Sequence, residues 1–430
     1  MGTAETIHPR PFAERRGRWA AKNTRPGAEL GRVTRLEEAK LIFGEAALQP
    51  IIDAALTADD LALEVLEDFS AMRGRTGRKM LDKALDEGID AVEDAPQSLR
   101  RLFAELDSPP DWVDIAQLRR GSIAYLRGAP VVSFALICAV TAATERAFGL
   151  TRPILFTGRM SGELLALRAR ETTRWILAAA RPDGMLRQGG GFKLTVRVRM
   201  LHAMTRRALS ESPHWDWDDW GMPLADADGM YAISFDFSQA VLDALSAVGV
   251  RWSRQECEDI YALWRYVGHV IGVPDHLLPA GPEQGRQLAA MYLATDPGPD
   301  DQCRRAYHAR VRYASGMGAE SRNAFPDLAV RLLAPERRLQ LLYGFTRYWS
   351  GDEVADALAV PDTAWKRVPR LLRPVMRLVE LGRRLGLVDD ERLVEVTIRR
   401  LEKASAPTTR GEPTLVPTES VDAAISKRGR

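Results

Sequence analysis

Two short stretches carry residue types whose placement implies chemistry. Between Arg197 and Leu209, helical spacing sets His202 beside Val198, Leu201, Thr205 and Leu209, so the imidazole points to the apolar side of its helix. A neutral imidazole in that position can ligate a metal, and it can equally well make a hydrogen bond inside a core. Between Ser161 and Ala180, Leu164, Arg168, Thr172 and Trp175 recur at the spacing of one helix face. A guanidinium on an inward face needs an anion or several acceptors, because an unpaired charge in a low-dielectric interior is strongly unfavourable. An acidic side chain from another helix would meet that need, and so would a ligand that accepts hydrogen bonds. The arginines flanking His202 (Arg197, Arg199, Arg206 and Arg207) read as positive charge at the rim of a pocket.

Other signals are weaker. His269, between Trp264 and Gly272, is a second histidine that could face inward, with core packing as the simpler reading. His8, His214, His276 and His308 lie in polar stretches or near loops and charged runs and read as solvated. The run Gly189-Gly190-Gly191-Phe192-Lys193 lacks both the Gly-Lys-Ser/Thr ending and the preceding strand of a phosphate loop, and reads as a flexible connector. The acidic, tryptophan-rich run Trp215 to Trp220 lacks calcium-loop spacing and reads as a loop anchored by its rings. Gly158 to Gly162 does not match the nucleophile elbow, and no H-E-x-x-H pattern occurs, so hydrolase motifs are absent.

The elements that must position these residues are helical. Almost every periodic segment shows the helical period, and no pair of alternating strands flanks a hairpin turn. The chain is therefore read as mainly α: a single large helical domain at 111–403, an N-terminal helical extension at 31–110, and flexible ends at 1–30 and 404–430. With 430 residues, 46% of them hydrophobic, the core needs no staples. Sixty basic against 58 acidic residues leave a net charge of +2, which gives no reason to expect nucleic acid as a partner. Cys138, Cys257 and Cys303 are odd in number and far apart, as reduced core cysteines would be. The longest apolar run, Ala129 to Thr144, contains Pro130 and falls short of the roughly 20 residues that cross a bilayer. Arg15-Arg16 is not followed by an apolar h-region, so a cytoplasmic location is expected.

Arg168-x3-Thr172 followed by Arg199-Met200-Leu201-His202-Ala203 resembles the rubber-oxygenase (latex clearing protein) family and the wider group of MpaB-type oxygenases. The resemblance extends through Thr157 to Met160, Trp215 to Pro223, Phe235-Asp236-Phe237, Trp264 to Val273 and Leu277-Leu278-Pro279. It implies a globin-like helical core around one heme b, with iron on His202 and with Arg168 and Thr172 as the distal pair that serves dioxygen. It also implies oxidative cleavage of a carbon–carbon double bond in an isoprenoid-like chain. Two positions depart from the family pattern: Arg152 stands where a glutamate base is expected, and Glu171 stands where some relatives carry a lysine that closes the iron site. Without an export signal, a small apolar substrate such as a terpenoid, polyketide or unsaturated lipid is expected rather than a polymer. Two alternatives stay open at this stage: a non-catalytic heme carrier or gas sensor on the same fold, and a heme-free helical binding protein.

Overall fold

The computed structural model describes residues 31–128, 130–156, 162–317 and 332–405. The flexible N-terminus, the Arg15-Arg16 pair, the motif at 157–160 and the tail beyond 405 lie outside these residues; positions 404 and 405, expected in the tail, close the last helix.

Capping chemistry and turns divide the chain into helices, and no strand occurs among the described residues. The first five are α1 (Leu36–Phe43), α2 (Glu45–Ala54), α3 (Asp60–Ser70), α4 (Thr76–Glu87) and α5 (Gln97–Leu106). Then come α6 (Ile115–Leu126) and a long helix α7, built from Pro130–Ala135, a π-helical stretch Leu136–Val140, and Thr141–Arg146. The short α8 (Phe148–Phe156) precedes α9 (Gly162–Ala180) and α10 (Gly190–Glu211). Next is α11, which runs from Asp226–Tyr231 through a second π-helical stretch, Ala232–Gln239, into Ala240–Ala247. The remainder are α12 (Arg254–Val270), α13 (Pro282–Thr295), α14 (Asp301–Ala314), α15 (Pro335–Ala357), α16 (Val368–Arg384) and α17 (Asp390–Ser405). Among the described residues no single helix is long and apolar enough to cross a membrane.

The centre is α12 packed lengthwise on α6. A reciprocal Ser253–Glu256 capping box starts α12, and the Glu256 carboxylate also receives Arg127 from the end of α6 at 2.8 Å. Trp264 on α12 is fully buried and meets Tyr125 of α6, Trp175 of α9 and Phe237 of α11 at ring-centroid distances of 5.4, 6.0 and 5.1 Å. Edge-on and stacked aromatic contacts of this kind add to simple area burial. They lock four helices around one side chain.

The helix that carries His202, α10, is wedged between α9 and α3. The glycine run at its start is not the connector expected from sequence. Gly190 and Gly191 are already helical, and a Cβ on Gly191 would overlap the Ala178 carbonyl, so the missing side chain lets α10 press against the end of α9. The flanking arginines are not rim charge either. Arg199 is buried and binds Asp59 at 2.7 and 3.1 Å and Glu105 at 2.8 Å; Arg206 donates to the carbonyls of Pro223 and Leu224; Arg197 binds Asp82; Arg207 binds Glu211 and Ser70. They fasten α10 to the N-terminal helices and to the loop before α11.

Asp59 serves twice, since its Oδ1 also accepts from the Ala62 N–H and caps α3. Burial would raise its pKa, but Arg199 outweighs burial and holds the carboxyl below its ordinary value. Arg199→Ala leaves Asp59 buried without its counter-charge and is expected to lower stability by roughly 3–5 kcal/mol, measured as the shift in urea midpoint. Because the folded-state pKa is depressed, the wild-type contribution is complete above the ordinary carboxylate value of 3.8 and is lost as pH falls below it; in Arg199→Ala burial pushes the pKa up instead, so that this loss of stability toward acid should weaken or change sign.

Candidate active site

Two of the elements above carry the polar residues singled out from sequence. His202 lies in the middle of α10, Arg168 and Thr172 on successive turns of α9, and these two helices pack together. His202 is half-buried by surface, and protein encloses its imidazole. Among the described residues it meets no hydrogen-bond partner. Burial, and then the positive charges of Arg206 and Arg168, push its pKa down to about 4, so the imidazole is neutral at physiological pH. Thr172 is half-buried, and so are Met204, Phe235 and Phe237, which pack against the main core.

Arg168 links this histidine to an acid that sequence spacing could not assign. Its charge acts on His202 and also on Glu145, near the end of α7. Glu145 is fully buried, and Arg310 from α14 sits 2.8 Å from its Oε1. Burial raises the Glu145 pKa, while Arg310, Thr151 and Arg168 pull it back, and the net result is a carboxyl that holds its proton more tightly than an ordinary glutamate. Asp236 in α11 is buried as well; it accepts from Thr144 Oγ1 at 2.7 Å, and burial pushes its pKa well up with a further contribution from Glu145. The site thus holds a neutral imidazole, cations and two proton-hungry carboxyls.

The two π-helical stretches bring these acids together. A π-turn adds a residue to the helical repeat and re-aims the side chains around it. Ser238 returns its hydroxyl to the Ile233 carbonyl five residues earlier, at 2.7 Å, as the wider turn requires. Asp236 lies inside the second π stretch and Glu145 five residues beyond the first. No sequence pattern marks a π-turn, so the pairing of two acids 91 positions apart was not visible beforehand.

The remaining expected residues have structural duties. Arg152, standing where the family resemblance places an acid, is buried and held by Asp300 at 2.6 Å and Gln302 at 2.9 Å, with Phe148 and Trp220 against its guanidinium. Glu171 is buried on α9, away from any role as a closing lysine by its own charge. His269 binds Asp275 at 2.8 Å and packs on Tyr266 and Trp112, the core-packing reading of that residue. Trp215 and Trp220 close on Phe156, which makes their loop an aromatic anchor as expected. His308 departs from its solvated reading, being half-buried with Nδ1 2.9 Å from the Tyr343 hydroxyl.

Comparison with known proteins bears on the same region. Residues 135–381 match the family model described as ER-bound oxygenase mpaB/B'/Rubber oxygenase, catalytic domain. A rubber oxygenase from Streptomyces sp. (strain K30) is 25% identical over 285 residues, 65% of this chain and 63% of the relative, so the match spans less than two thirds of that protein. The structure of latex clearing protein in its closed state aligns with a TM-score of 0.58 at 20% identity, over 80% of this chain and 88% of the other, and so shares the fold. With Glu145, Arg168, Thr172, His202 and Asp236 all inside a match that takes in more than half of its length, the chain belongs to the mpaB/rubber-oxygenase catalytic-domain family.

Proposed function

We propose that this protein is a heme b-dependent oxygenase that uses dioxygen to oxidise a small apolar substrate of terpenoid, polyketide or lipid-like character, with cleavage of a carbon–carbon double bond as the favoured outcome. The observation that carries this reading is His202, a neutral imidazole enclosed by protein and without a hydrogen-bond partner among the described residues. Buried histidines ordinarily satisfy at least one ring nitrogen. An unprotonated, unpartnered ring fits an iron ligand, since ligation requires the neutral form. His202 would hold the iron, and bound heme would supply the centre that takes up and activates dioxygen.

The protein's own residues then divide the remaining work. Arg168 is a permanent cation with several N–H donors, and on the same face Thr172 offers a hydroxyl; both favour charge that gathers on oxygen atoms. Met204, Phe235 and Phe237 offer apolar surface to a substrate without charge. Glu145 accepts and returns a proton beside Arg168, with Asp236 and Thr144 behind it. In this reading Glu145 replaces the acid that Arg152 displaces. A carrier or gas sensor on the same fold needs no proton acceptor, so the buried carboxyls favour the oxygenase.

Purified wild-type protein is expected to show a Soret band with close to one heme per chain, and the band should be lost or strongly altered in His202→Ala. Wild type that fails to take up added hemin, or that binds no carbon monoxide after dithionite reduction, would refute the proposal. Glu145→Gln is expected to retain heme and its Soret band while substrate-dependent oxygen uptake, screened over isoprenoid alkenes, falls by roughly 10²-fold or more. The wild-type rate should decline with acid through a pKa above the ordinary glutamate value of 4.5, because a raised pKa protonates the acceptor earlier, and the variant should lack that limb.

A further inference from the structure

Helix α16 is the one place where the described surface carries a continuous apolar stripe. Leu371, Val375, Leu378 and Leu385 fall on one side of it at helical spacing and are 70%, 56%, 69% and 63% exposed. The opposite side, with Pro369, Met376 and Glu380, is the buried one. Between these two faces runs a second stripe, Arg370, Arg373, Arg377 and Arg384, all exposed. None of the four forms an ion pair among the described residues. The only acid on the helix, Glu380, is buried beneath it and engaged by Arg127 at 2.8 Å and by Arg383.

Exposed large apolar side chains that line up, rather than scatter, mark a contact surface. We propose that α16 is an interfacial helix that docks this protein onto an anionic lipid surface. The apolar stripe would enter the boundary between headgroups and acyl chains, while the arginine stripe would lie at headgroup depth, its aliphatic stems flat against the apolar layer and its guanidinium groups on phosphate. Charge complementarity selects this occupant. An apolar protein surface would leave the four cations without counter-ions, whereas an anionic bilayer supplies them along the full length of the helix. Antiparallel pairing of two copies through the same stripe would set the two arginine rows side by side, which like charge opposes. The chain beyond Ser405 does not complement the surface either, because residues 406–430 contain four basic and three acidic side chains. The inference goes beyond the proposed oxygenase reaction and does not depend on heme binding.

The test is flotation of the full-length protein with vesicles of phosphatidylcholine alone and of phosphatidylcholine mixed with phosphatidylserine. Wild type is expected to float with the mixed vesicles, to release as salt rises, and to bind poorly to phosphatidylcholine alone. Leu371→Asp/Leu378→Asp should lose binding with an unchanged thermal midpoint, since both positions are exposed. Arg370→Gln/Arg373→Gln/Arg377→Gln should weaken it by roughly a hundredfold, at about fivefold per arginine. Wild type that does not float with anionic vesicles would overturn the proposal, as would flotation that both variants retain. A concentration-dependent dimer abolished by Leu371→Asp/Leu378→Asp, without vesicle binding, would assign the stripe to a second copy instead.

Discussion

The ion pair between Arg199 and Asp59 sets the position of everything else in the site. Arg199 lies three residues before His202 on α10, so a shift of the guanidinium by one turn would carry the imidazole with it. Its partner caps α3, so the same carboxylate that fixes the site helix also fixes the start of a helix from the N-terminal region. Gly272, at φ +97°, makes room for both: a Cβ there would overlap Asp59 and Arg199. A glycine at the end of α12 thus permits an ion pair between α3 and α10. Buried pairs of this kind contribute more to uniqueness of placement than to net stability, because desolvation offsets much of the attraction. Placement is what a site requires.

Helix α10 is bound on its other flank by a different physical principle. Gly191 gives backbone contact with α9, and Trp264 holds α9 and α11 through its ring faces and edges. Charge fixes the helix along its length, and close packing fixes its distance from the partner that carries Arg168. The N-terminal helices, which read from sequence as an extension, accordingly share the hydrophobic core with residues as distant as Leu401 and supply counter-charges to the site helix.

How much of this was legible in the sequence depends on the range of the interaction involved. Helical period is local, and it made the all-α fold legible. The aromatic anchoring of the Trp215–Trp220 loop was legible for the same reason. The partners of the arginines around His202 were not, because Asp59, Asp82 and Glu105 come from more than 90 positions away and charge alone does not say whether a residue lines a rim or closes an ion pair. The glycine run was misread because a glycine needed for close approach looks the same in sequence as one that confers freedom. Glu145 and Asp236 escaped pairing since their convergence depends on two π-helical turns, which no residue pattern announces.

Arg152 shows how a buried cation is accommodated in this core. A buried guanidinium is tolerated only with acceptors around it, and here α14 begins with Asp300 and Gln302, which bind it, while Phe148 and Trp220 cover its faces. Asp300 is also the N-cap of α14, accepting from the Gln302 and Cys303 N–H groups at 2.9 Å, so the start of that helix is tied to the arginine. Ten residues further along the same helix is Arg310, the residue that meets Glu145. The helix that neutralises Arg152 therefore also supplies the cation that makes burial of an acid at 145 tolerable. The two features are linked through one rigid element.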